Sequence, residues 1–397
     1  MSETQKHTKP IVPKLRFPGF EGEGEKRKIR DFTRVVAGAT PSTGNKSYWG
    51  GDIRWMNSGE LNLKRVYDVQ GRITREGYEK TSTKMIPPYS VLIGLAGQGK
   101  TRGTAAMNYV ELCTNQSIAS ILPSQDYYPE FLYQNIESRY KELRDISSGD
   151  GGRGGLNLQM INNLDIPYCS LTEQKKIGDF LLLLDYRISI QNKVIEDLRA
   201  LKKAATTYLL ESHDGEKRTL GEITESFSLR NKSRIQYPMY SVTNDKGFIP
   251  QSEQFEDREM EGEDIAAYKL INNGDIAYNP ARINVGSIAQ YAGNETCMIS
   301  SLYVCVRAKK GISSKWLMHV LKSDNLLFYY NLYAEGGVRL YLFYPNFARI
   351  KVTVPSIEKQ EQIASSLDAI DNKLRNESSI LSGLLLQKES ILSRIFA

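Results

Sequence analysis

Gly94-Leu95-Ala96-Gly97-Gln98-Gly99-Lys100-Thr101 has the spacing of a phosphate-binding loop. In such loops a glycine-rich backbone cradles phosphate oxygens and the lysine neutralises them. The preceding Val91-Leu92-Ile93 suits the strand that such a loop follows. The chemistry then asks for a helix whose first amides face the phosphates. Arg102-Gly103-Thr104 makes a poor first turn, and no apolar strand ends in an aspartate placed to hold magnesium. The matching stretch later in the chain, 275–289, keeps Arg282 and Asn284 but has no lysine. A β-hairpin with a basic tip is the stronger reading, and a nucleotide-binding enzyme would hang on this loop alone.

Other catalytic patterns are missing. Cys113, Cys169, Cys297 and Cys305 are widely spaced without a CxxC, and His7, His213 and His319 lie far apart. Neither a metal site nor a disulfide framework is expected. No acid, base or nucleophile has partners at a telling spacing, so no catalytic residue is expected. Arg, Lys, Asn, Gln, Ser and Tyr at loop tips are the types that touch phosphates and base edges. In the first half these are Asn57, Ser58, Gln98, Lys100, Arg102 and Arg153. In the second they are Thr243, Asn244, Tyr278, Asn279, Arg282, Asn284 and Arg339. Arg153 and Arg339 are the best supported, since each lies beside a glycine-rich turn.

Those two arginines belong to a repeat. Residues 146–204 lie on 332–390 without a gap, at a constant shift of 186: Arg153 falls on Arg339, Leu156 on Leu342, Gln174 on Gln360 and Asp185 on Asp371. A fainter echo places 26–33 on 217–224. The chain is therefore expected to hold two similar α+β parts, each followed by a long helix. The expected boundaries are an N-terminal arm at 1–25, a first globular domain at 26–170, a central helix at 171–212, a second domain at 216–355 and a last helix at 356–397. Strands are expected at 53–57, 90–94, 118–122, 239–243, 275–279, 287–291 and 301–307, with helices at 128–143 and 314–321. The acidic run 253–264 reads as a solvated face.

The helices carry a coiled-coil seam. Apolar residues alternate at spacings of three and four through Ile177, Leu181, Leu184, Ile188, Ile195 and Leu198, and again through Ile363, Leu367, Ile370, Leu374, Leu381 and Leu384. The vacant seam position holds Gln191 in one copy and Glu377 in the other, polar residues that cost stability but can fix register. An antiparallel pair of helices, each roughly 60 Å long for about 40 residues, would separate and hold the two globular domains.

Four ordered stretches resemble one known family, the specificity subunit of type I restriction–modification systems. They are Pro13-Lys14-Leu15-Arg16-Phe17-Pro18-Gly19-Phe20, the hairpins 91–106 and 275–289, the run from Gly152-Arg153 through Leu156-Asn157-Leu158 to Ile166-Pro167, and the helix starts Leu171-Thr172-Glu173-Gln174 and Ile357-Glu358-Lys359-Gln360. The second copy departs where Leu342-Phe343-Tyr344-Pro345 replaces the Leu-Asn stretch. The resemblance implies a non-catalytic DNA-recognition subunit whose two target-recognition domains each bind half of a bipartite double-stranded target. The helices would set the unread gap and dock two modification (methyltransferase) subunits, with two restriction (motor-nuclease) subunits completing the complex. S-adenosylmethionine, ATP and magnesium would belong to those partners, and none to this chain.

Composition agrees with this class without requiring it. The chain has 397 residues, 40% hydrophobic and 25% charged, which is ordinary for a globular protein of two or three domains. Its net charge of +6 is compatible with nucleic acid. The opening MSETQKHTKP has no apolar core of a signal peptide, and no run reaches the length of a membrane span, so a cytoplasmic protein is expected. The alternative is an adaptor that does not bind DNA, with two protein-binding modules on a coiled coil.

Overall fold

The computed structural model describes residues 13–22, 24–97, 100–147, 155–211, 214–251, 265–337 and 339–396. Gln98, Arg153 and the acidic run 253–264 fall outside them. The chain forms two compact units, residues 1–192 with 379–397 and residues 193–378. The long helices Leu171–Glu211 and Ile357–Ile395 therefore each contribute to both units. Among the described residues no helix is long and apolar enough to cross a membrane.

The first unit pairs Glu25–Lys28 antiparallel with Asp165–Tyr168, which ties its first strand to its exit strand. A five-stranded sheet runs Val35–Ala37, Ile118–Ile121, Val91–Gly94, Ala105–Asn108, Arg65–Val66. A four-stranded sheet runs Arg72–Ile73, Trp49–Met56, Leu112–Thr114, Met85–Ile86. The expected helix at 128–143 is two helices, Pro129–Ser138 and Tyr140–Ile146, broken at Arg139. Pro129 opens the first helix, where its missing N–H costs nothing.

The second unit repeats the plan. Glu216–Thr219 pairs antiparallel with Lys351–Val354. One four-stranded sheet runs Thr224–Phe227, Val304–Ala308, Ile276–Tyr278, Ile288–Gln290, and another runs Gly247–Pro250, Met239–Thr243, Cys297–Ile299, Lys269–Ile271. Helices Ser314–Leu321 and Asp324–Tyr333 follow, each capped by a serine hydroxyl, Ser313 or Ser323.

The seam pattern describes only part of what the long helices do. All twelve seam residues are buried or half-buried. The first turns of each helix also enter the core of their own copy: Ile177 and Leu181 pack with Phe131, Tyr133 and Ile136, and Ile363 and Leu367 with Trp316, Tyr330 and Phe347. The repeated glutamine fastens this joint. Buried Gln174 accepts the Tyr128 N–H at 2.9 Å and donates to the carbonyls of Cys169 and Asp126. Gln360 accepts the Ser313 N–H at 2.8 Å and donates to the Pro355 carbonyl at 2.9 Å. In both copies one side chain satisfies backbone groups that are buried or part-buried.

Within each unit the two helices run antiparallel. In the first, Asp185 meets Lys388 while Ile177 and Leu181 share a core with Ile391 and Ile395. In the second, Lys202 meets Asp371 while Leu209 shares a core with Ile363 and Leu367.

Candidate nucleic-acid interface

In the second unit the polar tip residues converge on one turn. Tyr278 pairs with Ile288 across the hairpin, and residues 279–287 join the strands. Asn279 Oδ1 accepts the Ala281 N–H at 3.0 Å, and the Asn279 carbonyl accepts the Arg282 N–H. A short 3-10 turn, Ile283–Val285, stops at Gly286, whose φ of +91° suits glycine. Ser287 Oγ donates to the Val242 carbonyl at 2.7 Å, holding the turn against the neighbouring hairpin. That hairpin turns through Thr243, whose Oγ1 accepts the Lys246 N–H and donates to the Gly247 carbonyl. The two turns nearly touch: a Cβ on Gly286 would lie 3.7 Å from Asn244 Cβ.

Two further contacts add Arg339. Leu342 N donates to the Pro280 carbonyl at 2.9 Å, and Glu335 and Tyr341 close a small antiparallel turn around exposed Arg339. Asn284 Nδ2 donates to Asn331 Oδ1 at 3.0 Å, tying the first turn to helix Asp324–Tyr333. Thr243, Asn244, Asn279, Arg282, Asn284 and Arg339 thus share one edge of the unit. Asn244, Arg282 and Arg339 are exposed, while Asn279, Asn284 and Thr243 spend polar atoms on shaping the turns.

Tyr278 does not belong to this edge. It is fully buried, stacked on Phe347 at 5.2 Å between centroids, and burial pushes its hydroxyl well above the ordinary tyrosine range. In a strand whose three residues are all buried, a tyrosine next to a polar tip still points into the core.

The first unit builds its tip in the same way. Leu156 N donates to the Leu95 carbonyl at 2.9 Å, the counterpart of the Leu342–Pro280 bond. The stretch that resembled a nucleotide loop leads into strand Ala105–Asn108, paired antiparallel with Val91–Gly94, so no helix follows it. The Lys100 carbonyl accepts from Thr104 Oγ1 at 2.6 Å and Tyr140 Oη at 3.2 Å, leaving the Lys100 side chain exposed. Arg102 is half-buried in the same loop. Asn57 caps the 3-10 turn Ser58–Leu63: its Oδ1 accepts the Gly59 N–H and its Nδ2 donates to Glu60, so this side chain serves the fold. Ser58 is half-buried at the start of that turn.

Sequence reasoning missed residues that adjoin these tips. Arg144 packs beside Gly103, where a Cβ would lie 3.4 Å from Arg144 Cγ, and donates to Tyr140 Oη at 3.1 Å. Exposed Phe343 stacks on Tyr341, with centroids 5.9 Å apart and rings 4° from parallel. Neither shows a spacing signal. Arg144 reaches the tip through the helix break at Arg139, and Phe343 stands out only once its exposure is known.

Among the described residues no group of three or more His, Cys, Asp or Glu could hold a metal. Burial raises the thiols of Cys113, Cys169 and Cys297 to about 12 and of Cys305 to about 11, far from a reactive thiolate.

Comparison with known proteins places this architecture. The type I restriction enzyme MjaIX specificity subunit of Methanocaldococcus jannaschii is 32% identical over 180 residues, 43% of this chain and 41% of that protein. The putative type I restriction enzyme MjaX specificity subunit of the same organism is 24% identical over 387 residues, 88% of this chain and 87% of that one. The chain spans about two fifths of the length of three of the curated relatives it matches. The crystal structure of an S subunit from M. genitalium shares the fold, with a TM-score of 0.63 at 17% identity over 98% of this chain and 99% of that one. The family model described as type I restriction modification DNA specificity domain matches residues 21–200 and again 213–385. With two such domains covering most of its length, the chain belongs to the type I restriction modification DNA specificity domain family.

Proposed function

We propose that this chain is the DNA-recognition subunit of a type I restriction–modification complex. Its two domains read unlike halves of a split double-stranded target. The observation that carries this reading is the shared edge of Asn244, Arg282 and Arg339, held by a backbone bond that recurs in the other copy between Leu156 and Leu95. Exposed guanidinium and amide groups on a braced turn suit phosphate and base-edge contact. The frame repeats while the tips differ, as two half-site readers require.

The helices act as spacer and docking surface. Phe180, Leu183, Tyr186 and Ile190 form an exposed apolar stripe on the first long helix, off the seam. It supports docking of a modification subunit on this helix; the family resemblance implies two such subunits per chain, with restriction subunits joining them. S-adenosylmethionine, ATP and magnesium would be held by those partners, and this chain would act by binding alone, in the cytoplasm.

The test is to insert one heptad into each helix of the full chain, assembled with its modification subunits. The preferred gap between half-sites should lengthen while each half-site stays the same. An unchanged gap contradicts the spacer role.

A further inference from the structure

The second unit contains a cleft of about 880 Å³ between the first long helix, the strand pair Glu216–Thr219 and Lys351–Val354, and the junction of helices Ser314–Leu321 and Asp324–Tyr333. Six cations line it: Arg199, Lys202, Lys203, Lys217, Lys322 and Lys351. Among the described lining residues two are carboxylates, Glu211 and Asp324. Lys202 is paired with Asp371 at 2.5 Å and Lys203 with Asp324 at 3.2 Å. The other four cations have no ion-pair partner among the described residues.

The first unit has the same cleft in the equivalent place, of about 750 Å³. Its lining is balanced, with Lys26, Arg139 and Lys388 against Glu142, Asp165 and Glu389. The duplication matches these positions one by one. Where the first unit has Leu385, Glu389 and Asp165, the second unit has Arg199, Lys203 and Lys351. Glu137, which pairs with Lys388 at 3.4 Å, is matched by Lys322, because Gln174 and Gln360 anchor Tyr128 and Ser313 alike. Arg139 against Asp324, and Ala397 against Glu211, are changes in the other direction. Counting lining side chains alone, the cleft is neutral in the first unit and carries four positive charges in excess in the second, one of them, Lys202, paired with Asp371 behind it.

Gathering like charges in a concavity is unfavourable unless an anion joins them. Lys322 shows the cost. The residue keeps surface exposure, yet desolvation around its ammonium and the charge of Lys202 hold its pKa below the ordinary lysine value. Lysine ammoniums are compact point charges suited to phosphate oxygens. The cleft's size suits a small polyphosphate, and the N-terminus of helix Asp324–Tyr333 opens onto it. The opposite end of that helix, roughly 15 Å away for about ten residues, carries Asn331, the partner of Asn284. A backbone phosphate of bound DNA is therefore the second source of the same chemistry.

We propose that this cleft is a phosphate-binding site present in the second unit only. The test uses the full chain with Lys217→Gln, Lys322→Gln and Lys351→Gln combined, and Lys26→Gln in the first unit as control. Inorganic tripolyphosphate is titrated by calorimetry, and a random-sequence duplex is titrated across a salt series. If the source is a small polyphosphate, tripolyphosphate binds the wild type and binds the triple variant at least about tenfold more weakly. If the source is DNA, tripolyphosphate is silent and the salt slope for the duplex falls by about two to three in the triple variant. Lys26→Gln changes neither. The proposal is overturned if the triple variant alters neither readout, if the control has the same effect, or if a polyglutamate peptide of matched charge binds as tightly as tripolyphosphate. Should the triple variant lose its native circular dichroism, the single variants at these exposed residues carry the same test. A chain that takes tripolyphosphate but no DNA would keep this site and remove the DNA-reading function.

Discussion

Lys388 Nζ lies 2.5 Å from Asp185 Oδ1 in the first unit, and Lys202 Nζ lies 2.5 Å from Asp371 Oδ1 in the second. At the shift of 186, Asp185 corresponds to Asp371 and Lys202 to Lys388. One ion pair is thus made twice with its partners exchanged between copies. Each unit draws one member from each copy, so neither unit's helix pair is complete without both halves of the duplicated sequence.

The first pair is the more consequential for stability. Lys388 is largely buried, and Asp185 also accepts from Arg65 and Gln134. Lys388→Met should cost about 3 kcal/mol in urea titrations, as for a broken buried pair. Lys202→Met, more exposed, should cost about 1 kcal/mol or less. Burial pushes the Lys388 pKa down, but Glu137 and Asp185 together raise it above the ordinary lysine value. A raised lysine stabilises fully below its unfolded pKa, about 10.4, and loses that contribution as pH climbs through the folded value. As pH rises above about 10.4 the wild type should therefore lose more stability than Lys388→Met, and parallel pH profiles would contradict this.

Gln174→Ala and Gln360→Ala should each destabilise by about 2 kcal/mol, since loss of Gln360 leaves a buried N–H and carbonyl without a partner and loss of Gln174 a part-buried N–H and two carbonyls. Near-equal losses are expected because the two joints are built alike. A loss confined to one variant would mean that the joints do not carry equal load.

The α+β class, the two-copy plan and the seam are legible in the sequence because a period of 3.5 and a constant shift survive drift at individual positions. The tips are less legible. Tyr278, one residue before the polar turn, is core because strand alternation does not apply when both faces of Ile276–Tyr278 are covered. Asn57 is a cap because an asparagine before Ser-Gly-Glu can close a local ring as readily as it can face a groove. Arg144 could not be placed from spacing at all, since Arg139 breaks the helix that carries it.

Tyr278→Phe should leave stability unchanged or raise it slightly. The Tyr278 hydroxyl is buried with no hydrogen-bond partner among the described residues, so its removal relieves a desolvated group. DNA affinity should also be unchanged. A selective loss of affinity in a stable variant would return Tyr278 to the recognition edge.

Arg282→Ala and Arg339→Ala test that edge from the other side. Thermal stability should hold, because both side chains are exposed. A phosphate contact would lower affinity on all sequences and reduce the salt slope by about one, whereas a base contact would cost about 1–3 kcal/mol and relax preference at one position of one half-site. No effect from either variant would remove the edge as an interface.

On the proposed function, two unlike domains on one duplicated frame read two half-sites at a fixed separation. The most direct measurement is selection of duplexes from a random library by the full chain assembled with its modification subunits, followed by sequencing. The expected result is two short, different motifs separated by a constant stretch without preference. A single contiguous motif, two motifs at variable spacing, or no enrichment would contradict it.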